Sequence, residues 1–118
     1  MSMQAYGAIP KVRQFQYGRI TCDGPWLLLN TALETARKVQ PDPDFIIITG
    51  DFPAHKLQCR AITLNVIANI TATVQAKFPR ALVIPTVGNN DVFPDYNMTL
   101  PNGPIHDQME TLDAIWRP

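Results

Sequence analysis

Two short glycine-led motifs, Gly50-Asp51 and Gly88-Asn89-Asn90-Asp91, carry residue types suited to chemistry. Carboxylate and amide oxygens are hard donors for divalent cations, and a glycine permits the sharp turn that swings the next side chain outward. Divalent metals held by such oxygens, often as a pair roughly 4 Å apart, polarise phosphoryl oxygens and make hydroxide available near neutral pH. The chemistry these residues fit is therefore hydrolysis of a phosphate ester. Each motif taken singly reads equally well as a polar turn or a helix cap. His55 follows Asp51 by four residues. Its imidazole there can donate to a phosphate or protonate a leaving oxygen, or it can be a solvated loop histidine. His106 opens the last predicted helix and is given no role, and Trp26 and Trp116 read as packing residues.

The elements that must position these motifs follow from the hydrophobic pattern. Leu29, Ala32, Leu33, Ala36 and Val39 recur at helical spacing from Pro25 onward, with Asp23 as candidate cap and Pro25 suited to the first turn. Gln40-Pro41-Asp42-Pro43 stops this helix, because proline disfavours helical geometry in the residue before it. Phe45-Ile46-Ile47-Ile48-Thr49 has the pattern of a strand buried on both faces. Leu57, Ala61, Leu64, Ala68, Thr71, Val74 and Phe78 mark one face of a long helix over about 57–78, closed by Pro79. A second strand follows at Leu82-Val83-Ile84-Pro85-Thr86. Pro85 argues against a central place in a sheet because it cannot donate to the ladder. The predicted fold is α/β, with a parallel βαβ unit of strands 45–49 and 82–86. Both strands then end on one edge, where ligands of open α/β sheets bind, so Asp51 and Asn89 are expected to converge there. Residues 87–104 are rich in Gly, Asn, Asp and Pro and read as a long functional loop. A last helix follows, with Ile105, Met109, Leu112 and Ile115 turned inward.

Composition narrows the class further. The chain has 118 residues, 46% hydrophobic and 17% charged, which fits a globular domain rather than a disordered chain or a coiled coil. Ten basic residues balance ten acidic ones, so there is no general electrostatic footprint for nucleic acid or an anionic membrane surface. No apolar run approaches the roughly 18 residues of a membrane span, and no signal-peptide pattern opens the sequence. Asn69-Ile70-Thr71 and Asn97-Met98-Thr99 match the glycosylation acceptor pattern. Cys22 and Cys59 are compatible with a disulfide or with two free thiols.

The string Thr49-Gly50-Asp51-Phe52-Pro53-Ala54-His55, followed by a helix and then Ile84-Pro85-Thr86-Val87-Gly88-Asn89-Asn90-Asp91, resembles the acid-sphingomyelinase branch of the calcineurin-like metallophosphoesterases. Tyr17-Gly18-Arg19-Ile20-Thr21-Cys22-Asp23-Gly24-Pro25 resembles a family segment in which a Cys-Asp pair precedes the first helix. The resemblance runs over roughly residues 17–116. It assigns residues 17–118 to the central portion of a metallophosphoesterase domain, incomplete at both ends, and leaves 1–16 as a lead-in, disordered or foreign to the domain.

What the resemblance implies is a two-metal phosphodiesterase, usually with zinc. Asp51 would be the carboxylate bridging both metals, and Asn89 an amide-oxygen ligand of the second. His55 would contact the phosphate and help protonate the leaving group. Asn90 stands where the commoner family motif has histidine; it cannot act as a general acid but can hydrogen-bond to phosphate. The Gly-Asn-Asn-Asp form followed by Val92-Phe93-Pro94 also resembles vacuolar endopolyphosphatases, so the substrate stays open between a phosphodiester and polyphosphate. The family's Asp-x-His and His-x-His motifs are absent from this sequence. The expected reading is thus a fragment, inactive alone, whose parent completes the domain; a short non-catalytic module is the alternative. The resemblance further implies a secreted or lysosomal/vacuolar glycoprotein with Cys22 in a disulfide, a Cys22–Cys59 bond being one option.

Overall fold

The structure, a computed structural model, describes residues 15–97 and 105–117. Helix α1 spans Trp26–Val39 and strand β1 Phe45–Ile48; helix α2 spans Arg60–Lys77, strand β2 Leu82–Pro85 and helix α3 Ile105–Trp116. The strands pair in parallel with Phe45 opposite Leu82 and Ile48 opposite Pro85. This is the expected α/β architecture, a βαβ unit consistent with part of a calcineurin-like fold.

Pro85 is accommodated by the alternation of the ladder. The N–H groups of Leu82 and Thr86 donate to Asp44 and Ile48 across the pair, so the even-numbered positions of β2 face β1. Position 85 faces the open edge, where a missing donor costs no ladder bond.

The core is small. Ile67 and Val74 of α2, Phe78 at its C-terminal cap, Leu112 of α3 and Val92 of the loop after β2 form its apolar part. Thr71 and Val74 are buried on α2 as predicted, but the first turns differ: Leu57 precedes the helix, Ala61 is exposed, and Thr63 and Ile67 are buried instead. In α3, Leu112 is buried as expected, but Met109 is exposed and Gln108 takes its place inside. Val39, predicted inward, is 81% exposed at the end of α1.

The strands are not buried on both faces. Phe45, Ile47, Leu82 and Ile84 point to one side and are each 41–60% exposed. A parallel sheet normally has both faces covered; among the described residues, the opposite side, with Ile46, Ile48, Val83 and Pro85, is the more buried of the two. Asp23 does not cap α1, whose N-cap is Pro25 with no side-chain cap. Its carboxylate is held elsewhere, by His55.

Candidate active site

The loops leaving β1 and β2 meet backbone to backbone, and two glycines make that contact possible. Gly50 has φ +91°, and a Cβ there would lie 2.8 Å from the Cα of Gly88 and 2.9 Å from the carbonyl carbon of Val87. A Cβ on Gly88 would lie 2.6 Å from Cγ of Asp51. Asp51 itself sits at φ +57°, in the left-handed region that Asp tolerates better than most residues. The turn thus spans both residues, and it aims the Asp51 side chain outward from the strand end.

Asn90 then fixes that side chain. Its backbone N–H and its side-chain Nδ2 donate to Oδ1 of Asp51 at 2.9 and 3.2 Å. Both donors converge on one carboxylate oxygen of Asp51. Asn90 is 4% exposed, and its Oδ1 is a buried acceptor without a partner. Asn89, half-buried, is anchored through its backbone carbonyl, which accepts from the N–H of Tyr96 at 2.9 Å.

The strongest tie is made by Asp91, which is fully buried. One carboxylate oxygen accepts from the backbone N–H groups of Asp51 at 2.7 Å and Gly88 at 2.6 Å; the other accepts from Phe52 at 2.8 Å. Burial pushes the Asp91 carboxyl above the ordinary carboxylate range, while the bonds from Gly88, Phe52 and Asp51 pull it back. Gln108 of α3, also buried, reaches the same loop: its Nε2 donates to the Asp91 carbonyl at 2.7 Å, and its Oε1 accepts from the Phe93 N–H at 3.1 Å. Packing of Trp116 against Phe52, with ring centroids 5.9 Å apart, draws the end of α3 onto the β1 loop.

Asp51, Asn89, Asn90 and His55 line one cleft of about 490 Å³, together with Asp23 and Trp26. The expected convergence of Asp51 and Asn89 is therefore what the fold produces. His55 is anchored across the cleft by Asp23, with Nδ1 2.6 Å from Oδ1. This contact raises the His55 pKa through the hydrogen bond and the charge of Asp23, and it lowers that of Asp23. With Nδ1 committed to Asp23, Nε2 is the nitrogen available to the cleft.

His106 lies in α3, but its side chain is outside the described residues. Trp116 packs as expected, whereas Trp26 is 49% exposed at the cleft rim. Cys22 and Cys59 are both exposed free thiols, so the Cys22–Cys59 bond is not formed.

The donor set suits a hard divalent metal in type, since Asp51 and Asn89 bring oxygen-bearing side chains to one cleft that Asn90 also lines. It is a partial shell: among the described residues, no group of three His, Cys, Asp or Glu side chains gathers at metal-binding distance.

Comparison with known proteins identifies the lineage. No family model matches the chain. It is 37% identical over 102 residues to sphingomyelinase phosphodiesterase D of Dictyostelium discoideum, an alignment covering 86% of this chain and 23% of that protein. It is 33% identical over 105 residues to a cyclic GMP-AMP phosphodiesterase of Bos taurus, covering 86% and 23%. To the acid sphingomyelinase-like phosphodiesterase 3b of Mus musculus it is 30% identical over 115 residues, covering 95% and 25%. The chain is related to the acid sphingomyelinase-like phosphodiesterases. It spans about a quarter of the length of these curated relatives.

Within this phosphodiesterase-related segment, three residues build the site beyond those its sequence motifs point to: Asp23, Asp91 and Gln108. Asp23 has the sequence position of a helix cap but holds a histidine 32 residues further along the chain. Asp91 belongs to a motif whose sequence suits either metal chemistry or a polar turn, and nothing in the sequence marks Gln108. A signal was present for Asp91 alone, since it closes the second glycine motif. No helix among the described residues is long and apolar enough to cross a membrane.

Proposed function

We propose that this chain forms the central part of the catalytic centre of a metal-dependent phosphodiester hydrolase. The observation that carries the reading is the meeting of Asp51, Asn89 and His55 in one cleft at the carboxyl ends of adjacent parallel strands. The phosphodiesterase names of its relatives support the reaction class.

Asp51 and Asn89 would hold a pair of divalent metals, zinc by family resemblance, with further ligands coming from the rest of the parent protein. Such metals supply Lewis-acid polarisation of the phosphoryl oxygens and acidify a bound water. The chain's own residues do the remaining work. Asn90 locks the Asp51 carboxylate in one orientation, and Asp91 holds the two loops that carry both ligands. Asp23 fixes the ring of His55 and favours its protonated form, so that Nε2 holds a proton for the oxygen of the departing alcohol. Two ligand side chains fall short of the about three protein ligands a catalytic zinc normally needs, so the 118 residues alone are expected to be inactive. The same relationship supports a secreted or lysosomal/vacuolar home.

The test uses the full-length protein with bis(p-nitrophenyl) phosphate and polyphosphate offered side by side, after chelation and after re-addition of zinc. Expected are loss of diester hydrolysis on chelation, its recovery with metal, and its fall to background in Asp51→Asn. Hydrolysis that survives both chelation and Asp51→Asn would sink the reading. Preference for polyphosphate would instead favour the phosphoanhydride chemistry for which Asn90, in place of a second imidazole, is the motivating feature.

A further inference from the structure

Two residues beside the cleft hold backbone conformations that side chains other than glycine rarely adopt. Lys56, next to His55, has φ +56°, and Tyr96 has φ +66°. Such angles persist where surrounding contacts impose them. Each of the two is tied through its backbone N–H: Tyr96 donates to the carbonyl of Asn89 at 2.9 Å, and Lys56 donates to Oδ2 of Asp95 at 3.1 Å. A bond from the N–H of Asn97 to the carbonyl of Pro94, at 3.1 Å, closes the turn that carries Asp95 and Tyr96.

The loop after β1 is thus pinned at both ends from the loop after β2. Asp91 accepts from the N–H groups of Asp51 and Phe52, and Asp95, further along the same loop, accepts from that of Lys56. His55 lies between these anchors. Asp23 restrains its ring, while the Asp95 bond restrains the backbone from which the ring projects. Because Tyr96 of the same turn holds the carbonyl of Asn89, the place of His55 is set relative to the loop that bears a proposed metal ligand. We infer that Asp95 is a positioning residue for the reaction, fixing where the His55 imidazole stands against the Asn89 side of the cleft. The role rests on the proposed phosphodiester hydrolysis, with His55 as the acid.

Protonation of the leaving oxygen is the step that would register a displaced imidazole, since a misplacement of about 1 Å can cost about 10²-fold in rate. The cost depends on the leaving group. A p-nitrophenolate departs with little help, whereas a plain phenolate, whose phenol has a pKa of about 10 like that of tyrosine, gains much from a delivered proton. Asp95 acts on Lys56 as a hydrogen-bond acceptor, a capacity that asparagine retains and alanine lacks.

The experiment takes the full-length, zinc-loaded protein at about pH 5.5, below the ordinary His value, where loss of the Asp95 charge still leaves His55 protonated. Measured are kcat on bis(p-nitrophenyl) phosphate and on diphenyl phosphate, two diesters of similar shape, and the readout is the ratio of the first to the second. Expected is a rise in this ratio of about tenfold or more in His55→Ala and in Asp95→Ala, and a return to within about twofold of wild type in Asp95→Asn, with zinc content unchanged throughout. A ratio that rises in His55→Ala but stays at the wild-type value in Asp95→Ala would overturn the positioning role alone. So would loss of zinc from Asp95→Ala, or an Asp95→Asn protein as impaired as Asp95→Ala, since the hydrogen bond would then not be what acts. An unchanged ratio in His55→Ala would remove the acid itself, and the proposed mechanism would fall together with the role of Asp95.

Discussion

Asp91→Asn changes one atom of a buried side chain and should still cost about 2 kcal/mol of stability. The carboxylate accepts three backbone N–H groups, two on one oxygen and one on the other. An asparagine has a single acceptor oxygen. In its better orientation that oxygen keeps the bonds from Asp51 and Gly88, while its NH₂ group confronts the N–H of Phe52, donor against donor. One buried N–H without a partner costs about 1–3 kcal/mol, and the two retained bonds weaken by some tenths to about 1 kcal/mol each once the acceptor is neutral. Relief of the burial penalty on the charge, the penalty that raises the Asp91 pKa, offsets part of the sum. A net loss of about 2 kcal/mol corresponds to roughly 30-fold in the folding equilibrium. Urea denaturation of the full-length protein, with chelator present so that metal linkage does not enter, reads it as a midpoint shift of about 0.7–2 M at an unchanged m of about 1–3 kcal/mol/M. Asp91→Ala, which frees all three N–H groups, should lose at least as much. Equal or higher midpoints in both variants would refute the idea that this carboxylate staples the loops together.

Asp23→Asn should shift the alkaline limb of the activity profile to lower pH, because the proton of His55 is favoured first by the hydrogen bond to Asp23 and then by its charge; a pH–kcat profile checks this, and an unmoved limb would contradict it. The sign for stability follows from both shifts: the pair contributes below the ordinary His value and loses its effect as pH rises through the raised His55 pKa. At the acid end it is lost as pH falls through the lowered Asp23 pKa. His55→Ala should lower kcat by about 10²–10⁴ while metal content by elemental analysis stays at the wild-type level. Gly88→Ala should lower metal content and activity together, since its Cβ would crowd Cγ of Asp51 at 2.6 Å; normal metal stoichiometry would show that the loop yields.

Much of the architecture is determined by the sequence itself, because it depends on local interactions. The β-branched run at 45–49, the helical spacing of apolar residues through 57–78 and the second run at 82–86 are each read within one element, and a helix between two strands implies a parallel pair. Parallel strands end on the same edge, so Asp51 and Asn89 meet for topological reasons that do not require coordinates. Helix faces were less legible. Thr63 and Gln108 are buried while Met109 is not, since a polar side chain can enter the interior when tertiary partners accept its hydrogen bonds. Only the tertiary structure decided which groups hold the site in shape. The Asp23–His55 contact and the Asp91 bonds to the β1 loop bridge 32, 40 and 39 residues of chain. A hydrogen bond needs its two atoms within about 3 Å and well aligned, and residues this far apart in sequence acquire that geometry only after the strands have paired and the helices have packed.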